Sequence, residues 1–275
     1  MTMLPQRGGA RIPATAAKTS THAATTHAAA GLTPLLNDPA ALRARDKPQL
    51  RRYEVSVLAP NGDILDSRHI APALPLFEDA VCAFTRGSMV MTEHGPIAVE
   101  DLLPGDRLLT DDGHSAPLMW KGSTQIIPGR PDARGRQHRL TRIMADSFGM
   151  QKPMTDVLAG PSARILKTPV HLRKLAGGEP LLTNVQEFVD GMSVIETAPP
   201  TAVQVFHLCL PHHSVIQVGG LGFETYHPGA NALRMTSPAM RGVFLSLFPQ
   251  LNDLRDFGPQ VHARTGDGEI DALSA

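Results

Sequence analysis

Cys82-Ala83-Phe84-Thr85-Arg86-Gly87-Ser88, followed downstream by Val99-Glu100-Asp101-Leu102-Leu103-Pro104-Gly105-Asp106, is the part of the sequence that decides the fold. Between these blocks, Ser88-Met89-Val90-Met91-Thr92 has the composition of a strand, Gly95-Pro96 interrupts it, and Ile97-Ala98-Val99 returns. Pro104-Gly105-Asp106 is the next turn. Arg107-Leu108-Leu109-Thr110 reads as a strand, Asp112-Gly113 as a turn, and Pro117-Leu118-Met119-Trp120 as a further strand. A turn signal every several residues leaves little room for helices and predicts an all-β architecture.

The same grammar continues toward the C-terminus. Asp156-Val157-Leu158-Ala159 and Arg164-Ile165-Leu166-Lys167 flank Gly160-Pro161, and residues 194–196, 202–210, 214–218 and 221–225 read as strands. Gly219-Gly220 supplies a hairpin turn between the last two. Residues 128–137 form a loop rich in Gly, Pro and Arg. Thr183-Asn184-Val185-Gln186 has capping-box spacing and predicts a short helix to about Val189. Ser237-Pro238 offers an N-cap and an N1 proline, and Met240, Val243, Phe244, Leu247 and Phe248 follow at helical spacing. The residues after about Pro259 read as a loose tail.

Upstream, Tyr53-Glu54-Val55-Ser56-Val57-Leu58, the turn Pro60-Asn61-Gly62-Asp63 and Ile64-Leu65-Asp66-Ser67-Arg68-His69-Ile70 spell a β-hairpin, joined to Cys82 by a proline-spaced link over 71–77. Residues 1–48 contain no aromatic residue and are rich in Ala and Thr, so they read as a disordered arm. His22 and His27 lie there without a third ligand nearby, which argues against a metal site.

The 275 residues carry 26 basic and 26 acidic side chains, so no charge excess points to nucleic acid or to an anionic membrane surface. No apolar run of spanning length occurs, and no cofactor motif is present. The N-terminus lacks the apolar stretch of a secretory signal, so a cytoplasmic location or export by a leaderless route is expected. Cys82 and Cys209, far apart in sequence, do not make a disulfide framework.

A lone cysteine entering a β-rich segment, with Gly-x-x-x-x-Glu-Asp-Leu-x-Pro-Gly-Asp behind it, resembles the opening of a Hint domain, the self-processing β-fold of inteins and hedgehog C-terminal regions. Phe206-His207-Leu208, His213-Ser214-Val215-Ile216 and Gly219-Gly220 resemble that family's closing strands, with Glu224-Thr225-Tyr226 closest to a bacterial variant. The resemblance implies an all-β, Hint-like fold with a leading β-hairpin and one C-terminal helix. With the local readings above, the expected organisation is an arm over 1–48, a hairpin and link over 51–78, a Hint-like domain over 79–228, and a helix with a tail over 229–275.

The resemblance also implies a chemistry. The family's first residue, Cys or Ser, attacks the carbonyl just before it and converts a peptide bond into an ester or thioester. A middle-block histidine assists, and oxyanion stabilisation lowers the barrier. Here the family's nucleophile position, directly before the aromatic residue, is Ala83, with Cys82 one residue early. The middle histidine of Pro-x-His-Arg falls on Ala163 in Pro161-Ser162-Ala163-Arg164, and the terminal pair falls near Glu224-Thr225, with no Asn to cyclise. Alanine has neither a nucleophilic nor a titratable atom.

The sequence therefore predicts a Hint protein whose self-processing is lost or impaired and which acts as a structural or interaction module toward an unidentified protein partner. The alternatives are autoproteolysis by N–S acyl shift at Cys82 and a metal-binding module over His207, Cys209, His212 and His213. Cys82 and His213 are the two candidate catalytic residues. Cys209 and Trp120 read as core, and Asp63, Asp106, Asp111 and Asp112 as turn formers.

Overall fold

The computed structural model describes residues 49–132, 134–229, 232 and 237–266. The whole of the arm, with His22 and His27, and the last nine residues lie outside them. The leading hairpin is β1 (Leu50–Leu58) and β2 (Ile64–Pro72), paired antiparallel with Leu58 opposite Ile64. The intervening turn needs Gly62, whose φ of +87° is left-handed. Asn61 Oδ1 accepts the Asp63 N–H at 3.1 Å, closing the turn locally.

Two antiparallel sheets follow. The first runs in the order β13 (Val194–Thr197), β9 (Leu140–Ile143), β10 (Val157–Ala159), β3 (Phe84–Thr85), β14 (Val203–Cys209), β8 (Trp120–Ile126), β1, β2. The second runs β12 (Leu182–Asn184), β11 (Arg164–Leu166), β16 (Leu221–Glu224), β15 (Val215–Val218), β4 (Met89–Thr92), β6 (Arg107–Leu109), β7 (Ser115–Pro117), with β5 (Gly95–Ala98) on β4. Among the described residues they are accompanied by the helices α1 (Pro75–Asp79) and α2 (Pro238–Leu245). The all-β expectation is met.

The leading hairpin is part of the first sheet, because Glu54 to Val57 of β1 pair with Ser123 to Trp120 of β8. The 71–77 link is not plain coil: Pro75, with φ preset for a helix, starts α1. At the capping box, Thr183 belongs to β12 and Asn184 is the cap, accepting the Gln186 N–H ahead of a 3₁₀ turn over Val185–Phe188. The tail expected to be loose is tied down as far as Thr265. Leu182 N–H donates to Ala263 O at 2.9 Å, and Thr265 N–H donates to Leu182 O at 3.0 Å. Strand β9 and most of β8 escaped the sequence reading. Strand β8 buries polar residues whose partners lie on other strands, as where Thr124 Oγ1 donates to Arg52 O.

Strand β14 divides the interior. Phe206, Leu208 and the following Leu210 enter one core, with Ala83, Phe84, Ala163, Ile216 and Phe223. Val205 and Cys209 enter a second, with Tyr53, Phe77, Cys82, Trp120, Phe244 and Phe248. Side chains alternate across a strand, so one strand serves both cores. The second core is aromatic. Trp120 stacks on Phe248 with centroids 4.5 Å apart, and its Nε1–H donates to Leu247 O at 2.6 Å. The turn that follows α2 is thereby fastened to the sheet.

Trp120 lies over the backbone of its own strand. A Cβ at Gly122 would fall 2.1 Å from the indole ring, so β8 needs glycine there. Gly122→Ala is expected to cost about 1–3 kcal/mol through forced repacking. Denaturant unfolding followed by the fluorescence of the sole tryptophan checks this.

Candidate functional site

Cys82 and Ala83 are both buried, at 1 % exposure each, but their side chains enter different cores. Burial, aided by the nearby Glu78 carboxylate, pushes the Cys82 thiol well above its ordinary pKa. The thiolate is the nucleophilic form, so this environment disfavours attack. Cys209 is likewise buried and raised by burial, its Sγ 3.8 Å from Tyr226 O.

The backbone of residues 82 and 83 is gripped from two sides. Ala83 N–H donates to Phe206 O of β14 at 2.9 Å. Gly160 N–H donates to Ala83 O at 2.8 Å, and Ser162 N–H to Cys82 O at 3.1 Å. The turn between β10 and β11 comes so close that a Cβ at Gly160 would sit 2.1 Å from Cys82 O. A backbone donor thus rests on the carbonyl that a side chain at position 83 would attack. What the grip holds is an alanine, and Ala163 in the same turn packs beside it in the between-sheet core.

His213 sits apart, in a buried ionic cluster. Its Nδ1 accepts the Val261 N–H at 3.0 Å, which leaves the proton on Nε2 to donate to Glu224 Oε1 at 2.8 Å. The imidazole is therefore neutral, with both nitrogens committed. Arg264 Nε donates to the same Glu224 oxygen at 2.8 Å, and Arg164 lies 4.0 Å from the other. Burial alone would raise Glu224, but the His213 hydrogen bond and the Arg264 charge outweigh it and hold the carboxyl at about 2. Arg264 also donates to His227 O at 2.7 Å. No sequence signal pointed to Arg264, which falls in the segment read as tail. Glu224 carried a weak one, its place in the family's closing block.

His207 is also buried. Its Nδ1 accepts the Leu208 N–H at 3.1 Å, and its ring meets Phe84 and Tyr226 edge-on at 5.6 and 5.3 Å. Burial pushes its pKa down to about 3. A cleft of about 410 Å³ opens here, lined in part by Asp79, Ser162, Arg164, His207, Tyr226 and Arg264. Neither Cys82 nor Ala83 is among its walls. Burial raises Asp79 against the pull of Arg134, Arg164 and Arg264. The histidine–cysteine run does not converge on one point: His212 is exposed, His213 is bound to Glu224, and Cys209 enters the aromatic core. Among the described residues no three His, Cys, Asp or Glu side chains gather around one point.

Residues 82–230 match the Hint domain family, over more than half of the chain. The chain belongs to the Hint domain family. The Pro104-Gly105-Asp106 turn and the β15–β16 hairpin are thus its opening and closing blocks. Two solved structures are similar to this Hint protein at low identity. The bacterial intein-like domain from Clostridium thermocellum is 10% identical with a TM-score of 0.37, over 53% of this chain and 99% of that one. A variant of the MchDnaB-1 intein is 16% identical with a TM-score of 0.34, over 54% of this chain and 100% of that one. No curated protein matches the chain. No helix among the described residues is long and apolar enough to cross a membrane.

The buried groups fix the acid response of the Hint protein. Histidine ordinarily titrates near 6.5 and folded His207 near 3, so below about 6.5 the unfolded chain binds a proton the native chain refuses. Stability is lost from pH 6.5 toward 3, by roughly 2 kcal/mol near pH 5 from this residue. His227, lowered by burial to about 4, adds to the same window. Glu224 contributes stability above about 4.5 that is lost as pH falls toward 2. Denaturant midpoints measured across this range should fall in two stages, and His207→Gln should flatten the upper one.

Proposed function

We propose that this Hint-domain protein does not process itself and serves as a structural or interaction module. The observation that carries the reading is the content of the grip around residues 82 and 83. The backbone donor of Ser162 addresses the Cys82 carbonyl at 3.1 Å, yet the side chains at positions 83 and 163 are methyl groups in a closed core. The one thiol nearby turns into the opposite core, where burial keeps it protonated. N–S acyl shift requires a thiolate to reach the preceding carbonyl and a proton donor for the departing amide. Positions 83 and 163 supply neither.

The leading hairpin supports the same reading. Strand β1 is hydrogen-bonded to β8, and Tyr53, Val55 and Val57 belong to the aromatic core. Scission before residue 82 or 83 would leave the upstream piece held in the sheet, so cutting would release little. The outer edge of that hairpin, β2, exposes Leu65 and Ile70 and is the surface that suits a partner protein.

The test is intact mass over several days at neutral pH, with and without a thiol such as dithiothreitol and with hydroxylamine. A single unchanged mass is expected throughout. Fragments with a new N-terminus at Cys82 or Ala83 would overturn the reading.

A further inference from the structure

We propose that the cleft between α1 and the closing strands binds a small organic monocarboxylate with an apolar body. The cleft, at about 410 Å³, is within the size of pockets that hold small molecules. Its polar wall offers donors. Ser162 is 5% exposed and its Oγ has no hydrogen-bond partner. Arg164 Nε is buried in the same wall, also without a partner. His207 accepts at Nδ1 from Leu208, so its Nε2 carries a hydrogen. Proteins seldom leave buried donors unmade, and two in one cleft await an acceptor from outside.

The charge balance selects an anion. Arg134, Arg164 and Arg264 line the cleft together with Glu224 and Asp79. Glu224 is already engaged by His213 and Arg264, and burial holds Asp79 toward its neutral form. The surplus is one positive charge if Asp79 is ionised, and a carboxylate presents paired oxygens to a guanidinium edge. The lining also includes the apolar side chains of Leu76, Phe77 and Met240, which suit a hydrocarbon chain or ring rather than a hydrated phosphate.

This inference goes beyond the loss of self-processing and stands whether or not the 82–83 bond is ever cut, because its readout is binding rather than chain mass. The full chain is titrated by calorimetry with sodium octanoate, octylammonium chloride and inorganic phosphate. Saturable one-to-one binding of octanoate is expected, with octylammonium and phosphate at least about tenfold weaker. Arg164→Gln should weaken octanoate about tenfold or more, and the milder Ser162→Ala a few-fold, with tryptophan fluorescence reporting that both are folded. The proposal is overturned by the absence of saturable octanoate binding, by equally tight octylammonium or phosphate, or by wild-type affinity in both variants.

Discussion

The close approach of the β10–β11 turn to the peptide between residues 82 and 83 is the constraint on which the rest of the structure depends. Two backbone hydrogen bonds fix that peptide, Ala83 N–H to β14 and Ser162 N–H from the turn to Cys82 O, and Gly160 N–H holds the next carbonyl, Ala83 O. The approach is possible only because residue 160 has no Cβ. Once the peptide is fixed, the entry to β3 is set, and the side chains at 82 and 83 are sent to opposite cores. The same strand pairing puts Phe84 against Phe206 and Phe223, where the two sheets meet. A geometry suited to polarising one carbonyl is thus also a packing device, and it remains intact without a nucleophile.

A second constraint is electrostatic. Glu224, at the end of β16, is 3% exposed and ionised, which is sustainable only because His213 and Arg264 both reach it. Arg264 comes from the last described segment, so this buried pair pins the chain's late residues to the closing hairpin. The Val261 N–H on His213 Nδ1 reinforces the attachment. His213, a candidate catalytic base in the sequence, is spent on holding this assembly together. Its neutral tautomer is fixed by neighbours on both sides, which leaves no nitrogen to accept a proton from a nucleophile.

Much of the fold was legible because its signals are local. Asn61-Gly62, Pro104-Gly105-Asp106 and Gly219-Gly220 each specify a turn whatever surrounds them, and the strands between follow from β-favouring residues. Strand β8 was not legible beyond Trp120, since Lys121-Gly122-Ser123-Thr124-Gln125 reads as polar until its partners β1 and β14 are known. Helix α1 hid inside a proline-spaced link. The order of residues 260–265 depends on pairing with Leu182, some eighty positions earlier, which no local pattern encodes. At the site, the substitutions at Ala83 and Ala163 could be read directly by resemblance to the family. The opposed directions of residues 82 and 83, and the partnership of Glu224 with Arg264, needed coordinates.

The proposed loss of self-processing rests on the one thiol beside the gripped peptide being walled into a core. Its accessibility is directly measurable with a thiol-specific reagent such as a maleimide, counting adducts by mass and locating them by peptide mapping. The account predicts no label on Cys82 in the native protein over hours, and labelling of both Cys82 and Cys209 once the chain is unfolded in concentrated guanidinium. Rapid labelling of Cys82 in the native protein, at the rate of an exposed thiol, would contradict it.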